Sequence, residues 1–209
     1  MTDDPVLPDW LDSTLAADAV GPAGAVLPWI RALSPERRVA GRVTTALTAL
    51  DDNGVVRQIA AAGGHHGEIL VVAGGAWSRT AMIGDLMARE LLLAGIGGLI
   101  TDGLVRDADE VRSLPLGVWC RGTTTVASRK DEPGSIDVPV SLGGVIVRPG
   151  DFVVADANGV VVWPAASRDH ALARAEQRRA ADAQRLEALE SRLGATPSAP
   201  RTVADEAGR

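Results

Sequence analysis

The feature that most constrains the fold is an apolar segment without polar interruption, EILVVAGG, at residues 68–75. Five consecutive apolar residues closed by two glycines are typical of a strand buried on both faces, near the centre of a sheet. The segment DLMARELLLAG then has apolar residues at 86, 87, 91, 92 and 93 and polar residues at 89 and 90. This spacing predicts an amphipathic helix with Asp85 as its N-cap and Gly95 near its C-terminal end.

A second apolar run, IGGLITDG, follows this helix, and the next segments read as a turn with a short helix, VRDADEVRSL, and a further strand, LGVWC. A strand, a helix and a strand within about 35 residues form a parallel unit. The fold class predicted for this half of the chain is therefore α/β.

The second half changes character. Residues 140–164, VSLGGVIVRPGDFVVADANGVVVWP, consist of short β-branched runs separated by turn sequences, which predicts an antiparallel section. Residues 167–193 are rich in Ala and Arg with apolar residues at helical spacing, which predicts a long helix. Its length favours a projecting arm or an oligomer contact over a core helix.

Closer to the N-terminus, residues 9–20 and 25–33 read as short helices around a GPAG break, and residues 41–50, GRVTTALTAL, read as a strand. We expect one domain over residues 11–193, with a flexible tail at 1–10 and a disordered tail at 194–209.

Charge and composition narrow the function. The net charge is -6 and no basic stripe with interleaved aromatic residues is apparent, which argues against nucleic-acid binding. We find neither a signal peptide nor an apolar run long enough to span a bilayer, so we expect no membrane partner and a cytoplasmic location. The single cysteine, Cys120, lies in an apolar run and is expected to be an inert core thiol. The single lysine, Lys130, lies in a polar loop and is a poor candidate for a Schiff base.

The strand-helix-strand unit predicts which polar residues meet. The helix runs antiparallel to both strands, so its N-terminus and the end of the following strand lie at the same edge of the sheet. Ten helical residues descend about 15 Å and five strand residues climb back about 16 Å. Asp85 and the pair Arg106 and Asp107 should therefore be neighbours at the edge where open α/β sheets bind ligands.

These residues suit a small acid. The backbone N–H groups of Leu86 and Met87, in the first helical turn, can hold a carboxylate, and Arg106 offers a planar cation to a carboxylate or enolate oxygen. Asp107 and Asp85 supply hard oxygens for a divalent ion or a water. The pattern points to a 2-oxo acid and a divalent metal. The alternative is structural: a helix cap and a surface ion pair.

Other residues are weaker candidates. His65 and His66 are adjacent, so their side chains diverge, and no third metal ligand accompanies them. His170 is expected at the surface. Trp77 and Trp119 are expected to serve in packing, with Trp77 the better candidate for a pocket wall because it precedes the helix.

Three segments together resemble a known family: GEILVVAGGAWSRTAMIGDLMARELLLAGIGGLITDGLVRDADEV, CRGTTT and VSLGGVIVRPGDFVVADANGVVVWP. They resemble the RraA-like family, which includes the metal-dependent 4-hydroxy-4-methyl-2-oxoglutarate / 4-carboxy-4-hydroxy-2-oxoadipate aldolases, over about residues 15–190. The resemblance implies an α-β-β-α sandwich, trimers or hexamers, and active sites between subunits. Aldolases of this family carry an acid, twenty residues and Arg-Asp, as do Asp85, Arg106 and Asp107. The ribonuclease regulator of the family has glycine in place of the first acid.

The resemblance also implies roles. Asp107 would hold Mg²⁺ or Mn²⁺, partly through water, and Arg106 would bind the ketone oxygen and stabilise the enolate. The amides of Leu86 and Met87 would hold the pyruvyl carboxylate, and Asp85 would orient a catalytic water. The implied reaction is aldol cleavage to pyruvate, with oxaloacetate decarboxylation through the same enolate.

One departure from the family is visible. Its aldolases contribute a glutamate from the neighbouring subunit's C-terminal helix, and the nearest matches here are Asp182, one methylene shorter, and Glu176. A regulatory binding protein and a related lyase acting on another 2-oxo acid therefore stand as alternatives.

Overall fold

In this computed structural model, residues 7–194 are described. Within that range the helices are α1 (Ser13–Val20), α2 (Gly54–Ala62), α3 (Asp85–Leu93), α4 (Ala108–Ser113) and α5 (Arg168–Gly194), with 3-10 turns at Pro22–Gly24 and Ala165–Ser167. The strands are β1 (Arg31–Ala32), β2 (Val39–Leu47), β3 (Ile69–Ala73), β4 (Ala81–Ile83), β5 (Gly98–Thr101), β6 (Leu104–Val105), β7 (Gly117–Cys120), β8 (Gly122–Thr123), β9 (Ser135–Ile136), β10 (Val140–Leu142), β11 (Val145–Val147), β12 (Phe152–Asp156) and β13 (Gly159–Trp163).

The main sheet has the strand order β1-β7-β5-β3-β2-β12-β13, and β9 also pairs with β2. Strands β2, β3, β5 and β7 are parallel, whereas β1, β12 and β13 join antiparallel. The predicted central strand is confirmed, because β3 lies between β2 and β5 and is buried along its whole length. The predicted α/β class, with a parallel unit, an antiparallel section and a long C-terminal helix, is confirmed as well.

Apolar side chains cover both faces of this sheet. Leu70 and Val72 of β3 pack with α2, α3 and α4, whereas Ile69 and Val71 point the other way and pack with the β10-β11 hairpin. Helices α1 and α5 form a third core with β12 and β13, around the buried Trp163. Each buried Leu, Ile or Val stabilises the fold by about 1.5–3 kcal/mol relative to an exposed side chain.

A second, small sheet positions the site. Strands β4, β6 and β8 are parallel, with Ala81 opposite Leu104 and Leu104 opposite Gly122. Helix α3 begins directly after β4, and α4 begins shortly after β6. The sequence analysis had placed the helix with Asp85 directly after a strand of the main sheet. In the structure it starts from this small sheet instead. Strands of two or three residues carry too little periodicity to be recognised in a sequence.

Two predictions of local structure were wrong. Residues 25–33 are not a helix: Pro28 disrupts the run, Val26 and Ile30 are buried in the second core, and Arg31–Ala32 pair with β7 as strand β1. The second error was an omission, since no helix was predicted between residues 50 and 68, where α2 begins at Gly54.

The predicted tails are described only in part. Leu7 is buried and Trp10 packs against the third core, so packing contacts begin inside the predicted tail at 1–10. Residues 195–209 of the predicted C-terminal tail lie outside the described range. Among the described helices, none combines the length and hydropathy needed to cross a membrane.

Candidate functional site

The small sheet brings the first turn of α3 against the Arg106–Asp107 segment. The backbone N–H of Arg106 donates to the carbonyl of Ile83 at 3.0 Å, which extends the pairing of β4 and β6 by one residue. The backbone N–H of Asp85 donates to Oδ2 of Asp107 at 3.2 Å. The three residues that the sequence predicted to be neighbours are therefore joined directly by hydrogen bonds and chain connectivity.

Gly84 makes this close approach sterically feasible. A Cβ atom at position 84 would lie 2.5 Å from Oδ2 of Asp107 and 2.8 Å from Nε of Arg106. Both distances are far below van der Waals contact, so any side chain here would displace the Arg-Asp pair. Sequence reasoning missed Gly84, although its place immediately before a helix was a usable signal.

Asp107 adopts an unusual backbone conformation. It is the N-cap of α4, yet its φ of 53° and ψ of 47° are left-handed, and its carboxylate does not cap its own helix. Instead, Oδ2 accepts from Asp85 N–H and lies 3.4 Å from Nε of Arg106. Both side chains of this ion pair are 41% exposed, where such a pair contributes little stability. The local strain and the lost cap, each on the order of 1 kcal/mol, are therefore poorly explained by folding alone.

The N-terminus of α3 differs slightly from the prediction. Its N-cap is Gly84, and Asp85 is the first helical residue, so the predicted capping role of Asp85 was wrong. The carboxylate of Asp85 instead accepts from Nε of Arg89 at 2.9 Å. The first helical hydrogen bond is made by Ala88 N–H to Gly84, so the amides of Leu86 and Met87 precede it.

A cleft of about 160 Å³ lies beside these groups. Leu86, Met87 and Arg106 line it, as the predicted substrate contacts require. The remaining lining residues are Asn53, Ala81, Ile83, Gly84, Glu90, Ala127, Ser128 and Lys130. Sequence reasoning did not place Asn53 or Lys130 here. Lys130 adds a second cation to the cleft, on a loop whose path no local pattern foretold.

The carboxylate of Asp52 fixes the loop that carries Lys130. Asp52 accepts from Gly54 N–H through Oδ1 and from the N–H groups of Asp131 and Glu132 through Oδ2. Burial raises the pKa of Asp52, but these backbone hydrogen bonds and the charge of Arg129 outweigh it and leave the pKa below its usual value. The carboxylate form of Asp52 thus holds the segment that carries Lys130.

Asp51 does the same for the segment before β4. Its Oδ1 accepts from the hydroxyl of Ser78 at 2.7 Å and from the N–H of Arg79 at 3.0 Å. The hydrogen bond from Ser78, with that from Arg79, holds the pKa of Asp51 below its usual value. Asp51 therefore fixes the residues just before Ala81, which lines the cleft.

The carboxylate of Asp107 would suit a divalent ion that keeps several water ligands. Among residues 7–194 there is no cluster of three or more His, Cys, Asp or Glu side chains that could hold a metal by itself. Asp107 offers one accessible carboxylate beside the cleft. Mg²⁺ and Mn²⁺ suit such a site, since Mg²⁺ in particular binds through one or two carboxylates and keeps several waters. Zinc, which needs three or four protein ligands, does not suit it.

The other predicted residues lie outside the cleft of their own subunit. Trp77 is 89% exposed, which contradicts a packing role, whereas Trp119 is fully buried as predicted. Asp182 pairs with Nε of Arg178 at 3.1 Å on α5, and Glu176 is exposed on the same helix, which packs against α1. Neither acid lines the cleft, so a contribution from α5 would have to come from another subunit.

Three further titratable residues lie outside the cleft lining. Nδ1 of His65 lies 2.5 Å from Oε2 of Glu68, and His170 is exposed. Cys120 is buried, and burial raises the pKa of its thiol, as expected of an inert core residue.

Comparison with known proteins gives four similarities. A family model described as Aldolase/RraA matches residues 13–162. The chain is 38% identical over 144 residues, 68% of its length and 87% of the relative's, to a 4-hydroxy-4-methyl-2-oxoglutarate aldolase of Thermus thermophilus. The solved structure of an RNA-processing inhibitor, RraA, from Thermus aligns with a TM-score of 0.67 and 34% identity over 74% of this chain and 93% of that chain. RraAS2 of Streptomyces coelicolor, described as an unusual member of the RNase ES inhibitor RraA protein family, aligns with a TM-score of 0.69 and 29% identity over 88% of this chain and 93% of that chain.

Proposed function

Because the chain belongs to the RraA-like family, we propose that it is a metal-dependent aldolase that cleaves a 4-hydroxy-2-oxo acid to pyruvate and a second oxo acid. One observation carries the proposal. Asp85, Arg106 and Asp107 meet at the first turn of α3, with Gly84 leaving room for the contact. Of the three, Arg106 lines the adjacent cleft, and the two aspartates lie outside its lining.

The proposed binding mode uses groups of this chain. The N–H groups of Leu86 and Met87 hold the carboxylate of the 2-oxo acid, helped by the helix dipole. The guanidinium of Arg106 donates to the ketone oxygen. Asp107 would hold Mg²⁺ or Mn²⁺ through its carboxylate and through water, and the bound ion supplies Lewis-acid stabilisation of negative charge.

The chemical step follows from this arrangement. The substrate's 4-hydroxyl loses its proton to a water oriented by Asp85, the bond between C3 and C4 breaks, and C4 becomes the carbonyl of the released oxo acid. The electron pair moves into the enolate of pyruvate, where the charge of Arg106 stabilises it. A proton delivered to C3 then completes pyruvate. Decarboxylation of oxaloacetate gives the same enolate, so we propose it as a side activity.

We also propose a homotrimer or homohexamer in which a neighbour completes the site. The support is the resemblance, together with exposed apolar side chains on this subunit, among them Trp77 and the cleft residue Leu86. In this assembly Asp182 or Glu176 of a neighbouring α5 would join the proton relay. Separate Asp182→Asn and Glu176→Gln variants identify the acid, since only the one in the relay should lower kcat.

The ion pair offers a direct test with a matched control. Arg106→Ala and Asp107→Asn should each lower pyruvate formation by about a hundredfold or more, because the first removes the cation beside the developing enolate and the second weakens the hold on the metal ion. The control is the neighbouring surface pair Arg112 and Asp109, whose atoms lie 2.6 Å apart on α4. Arg112→Ala and Asp109→Asn should keep activity within a few-fold. Equal effects on both pairs would remove the proposed site.

A second candidate function is regulation of an RNA-processing ribonuclease, which the two RraA structures favour. Asp85 argues for the enzyme, because the resemblance associates an acid at this position with catalysis. A binding experiment with an RNase E type ribonuclease distinguishes the enzyme from the regulator. The regulator would be favoured if the wild type showed no turnover and the Arg106→Ala variant still bound the ribonuclease tightly. A related lyase for another 2-oxo acid would show pyruvate or enolate chemistry with a different acceptor.

A further inference from the structure

Asn53 is placed at the start of a helix but does not cap it. It is the N-cap of α2, a position where Asn normally accepts from the backbone of the first helical turn, yet its side chain makes no such bond. The N–H of Gly54 is bonded instead by Oδ1 of Asp52 at 2.7 Å. The side-chain amide of Asn53 therefore takes no part in capping α2.

The orientation of this amide is fixed. Nδ2 of Asn53 donates to the carbonyl of Met82, in β4, at 2.8 Å. The residue is only 5% exposed and lines the cleft. Its Oδ1 is buried and has no hydrogen-bond partner among the described protein atoms. A buried acceptor left unpaired is destabilising, so a ligand that donates to it gains affinity.

The other polar groups of the cleft narrow what this donor can be. Ser128 can donate or accept and Glu90 is an exposed carboxylate, whereas Arg106, Lys130 and the amides of Leu86 and Met87 only donate. They match carboxylate and ketone oxygens, which only accept. An acceptor on the protein must pair with an O–H or N–H of the ligand, and the ionised 4-hydroxy-2-oxo acid has one such group, its hydroxyl.

We propose that Oδ1 of Asn53 accepts a hydrogen bond from the substrate's 4-hydroxyl, and that Asn53 selects hydroxylated 2-oxo acids over those without the hydroxyl. This inference rests on the proposed aldolase function. The amide is not basic enough to take the proton. The contact therefore orients the hydroxyl of the bound substrate and is released as the proton leaves, so its main effect is on binding.

The test compares two reactions at one site. Asn53→Ala should lower kcat/KM for cleavage of 4-hydroxy-4-methyl-2-oxoglutarate by about 10- to 100-fold, mostly through KM. Decarboxylation of oxaloacetate, which lacks the hydroxyl, should change by less than about threefold. The affinity for pyruvate, measured by calorimetry, should be unchanged, and this readout needs no turnover.

Two further variants guard the interpretation. Asn53→Ser keeps a residue favoured at helix N-caps, so it protects the fold of α2 if the alanine variant is unstable. Asn158→Ala changes the chain's other asparagine, in the β12-β13 turn, and should leave both reactions unchanged.

Each outcome decides something. Equal losses for both substrates, or no loss for either, would overturn the role of Asn53 while leaving the aldolase intact. A wild-type protein that decarboxylates oxaloacetate but cleaves no 4-hydroxy-2-oxo acid would overturn the hydroxyl selection. A wild type without either activity would overturn the proposed function and this inference with it.

Discussion

At the scale of single residues, the site is marked by side chains that give up their usual local bonds. Asn53 and Asp107 both occupy N-cap positions, and neither caps its own helix. Sequence rules predict caps at these positions, so they favour the structural interpretation. The chain order of Asp85, Arg106 and Asp107 could be interpreted from spacing, but Asn53 could not, because its partner Met82 is distant in the sequence.

Gly84 gives the sharpest prediction at this scale. Gly84→Ala should lower turnover at least tenfold while the protein stays folded, because the new Cβ would fall within 2.5 Å of Oδ2 of Asp107 and push the Arg-Asp pair away. Pyruvate formation and a melting curve measure the two effects.

Gly41→Ala in β2 is the matched control, since a Cβ there would meet other atoms only at 3.5 Å or more. An alanine at position 84 with wild-type kcat/KM would show that the close packing of Arg106 and Asp107 is not required.

At the scale of elements, the sequence predicted the parallel centre of the main sheet, because β3 and β5 are continuous apolar runs separated by a periodic helix. It failed for β4, β6 and β8, which are two or three residues long, and for the loop at 127–132, whose position depends on bonds to Asp52. Asp85 and Arg106 were predicted to meet for a partly wrong reason. Their strands do run parallel, but in the small sheet.

The hydrogen bonds that Asp52 accepts from the loop at residues 127–132 predict that the free energy of unfolding depends on pH. Because the folded pKa of Asp52 lies below that of an aspartate in the unfolded chain, its stabilising effect is fully present above the unfolded pKa and is lost as the pH falls through the lower folded value. Wild type and Asp52→Asn should therefore differ in free energy of unfolding at about pH 7 and converge below about pH 4. A urea titration at each pH measures the two free energies of unfolding. A difference between them that does not change with pH would contradict the proposed role of the Asp52 carboxylate.

Asp52→Asn should also make the loop at residues 127–132 more accessible to proteases. Limited trypsin digestion of Asp52→Asn at neutral pH should cleave after Arg129 or Lys130 faster than in the wild type, as judged by mass spectrometry. Asp131→Asn is the control, because Asp52 holds the backbone N–H of Asp131 and not its side chain. Equal cleavage rates would place the restraint on the loop elsewhere.

At the scale of the whole molecule, α5 carries an unpartnered apolar stripe. Leu186, Leu189 and Leu193 are exposed and recur at helical spacing, so they share one side of the helix. The sequence favoured an oligomer contact for this helix because of its length. The surface of one subunit cannot identify the neighbour, since assembly depends on a second chain.

Assembly and activity should therefore fall together. A Leu186→Glu, Leu189→Glu double variant should lower the particle mass in light scattering and reduce turnover, because charges replace apolar contact surface. Glu187→Gln, an exposed polar change on the same helix, should affect neither. A variant that becomes monomeric with full activity would show that each subunit holds a complete site.

The central claim is that the cleft beside Arg106 and Asp107 performs metal-dependent cleavage that yields pyruvate. The most direct measurement is pyruvate release by the wild type from oxaloacetate and from 4-hydroxy-4-methyl-2-oxoglutarate, coupled to lactate dehydrogenase, with Mg²⁺ and then with EDTA. We predict pyruvate from both substrates with Mg²⁺ and its loss on chelation. No pyruvate from either substrate, in a folded and metal-supplied protein, would contradict the account.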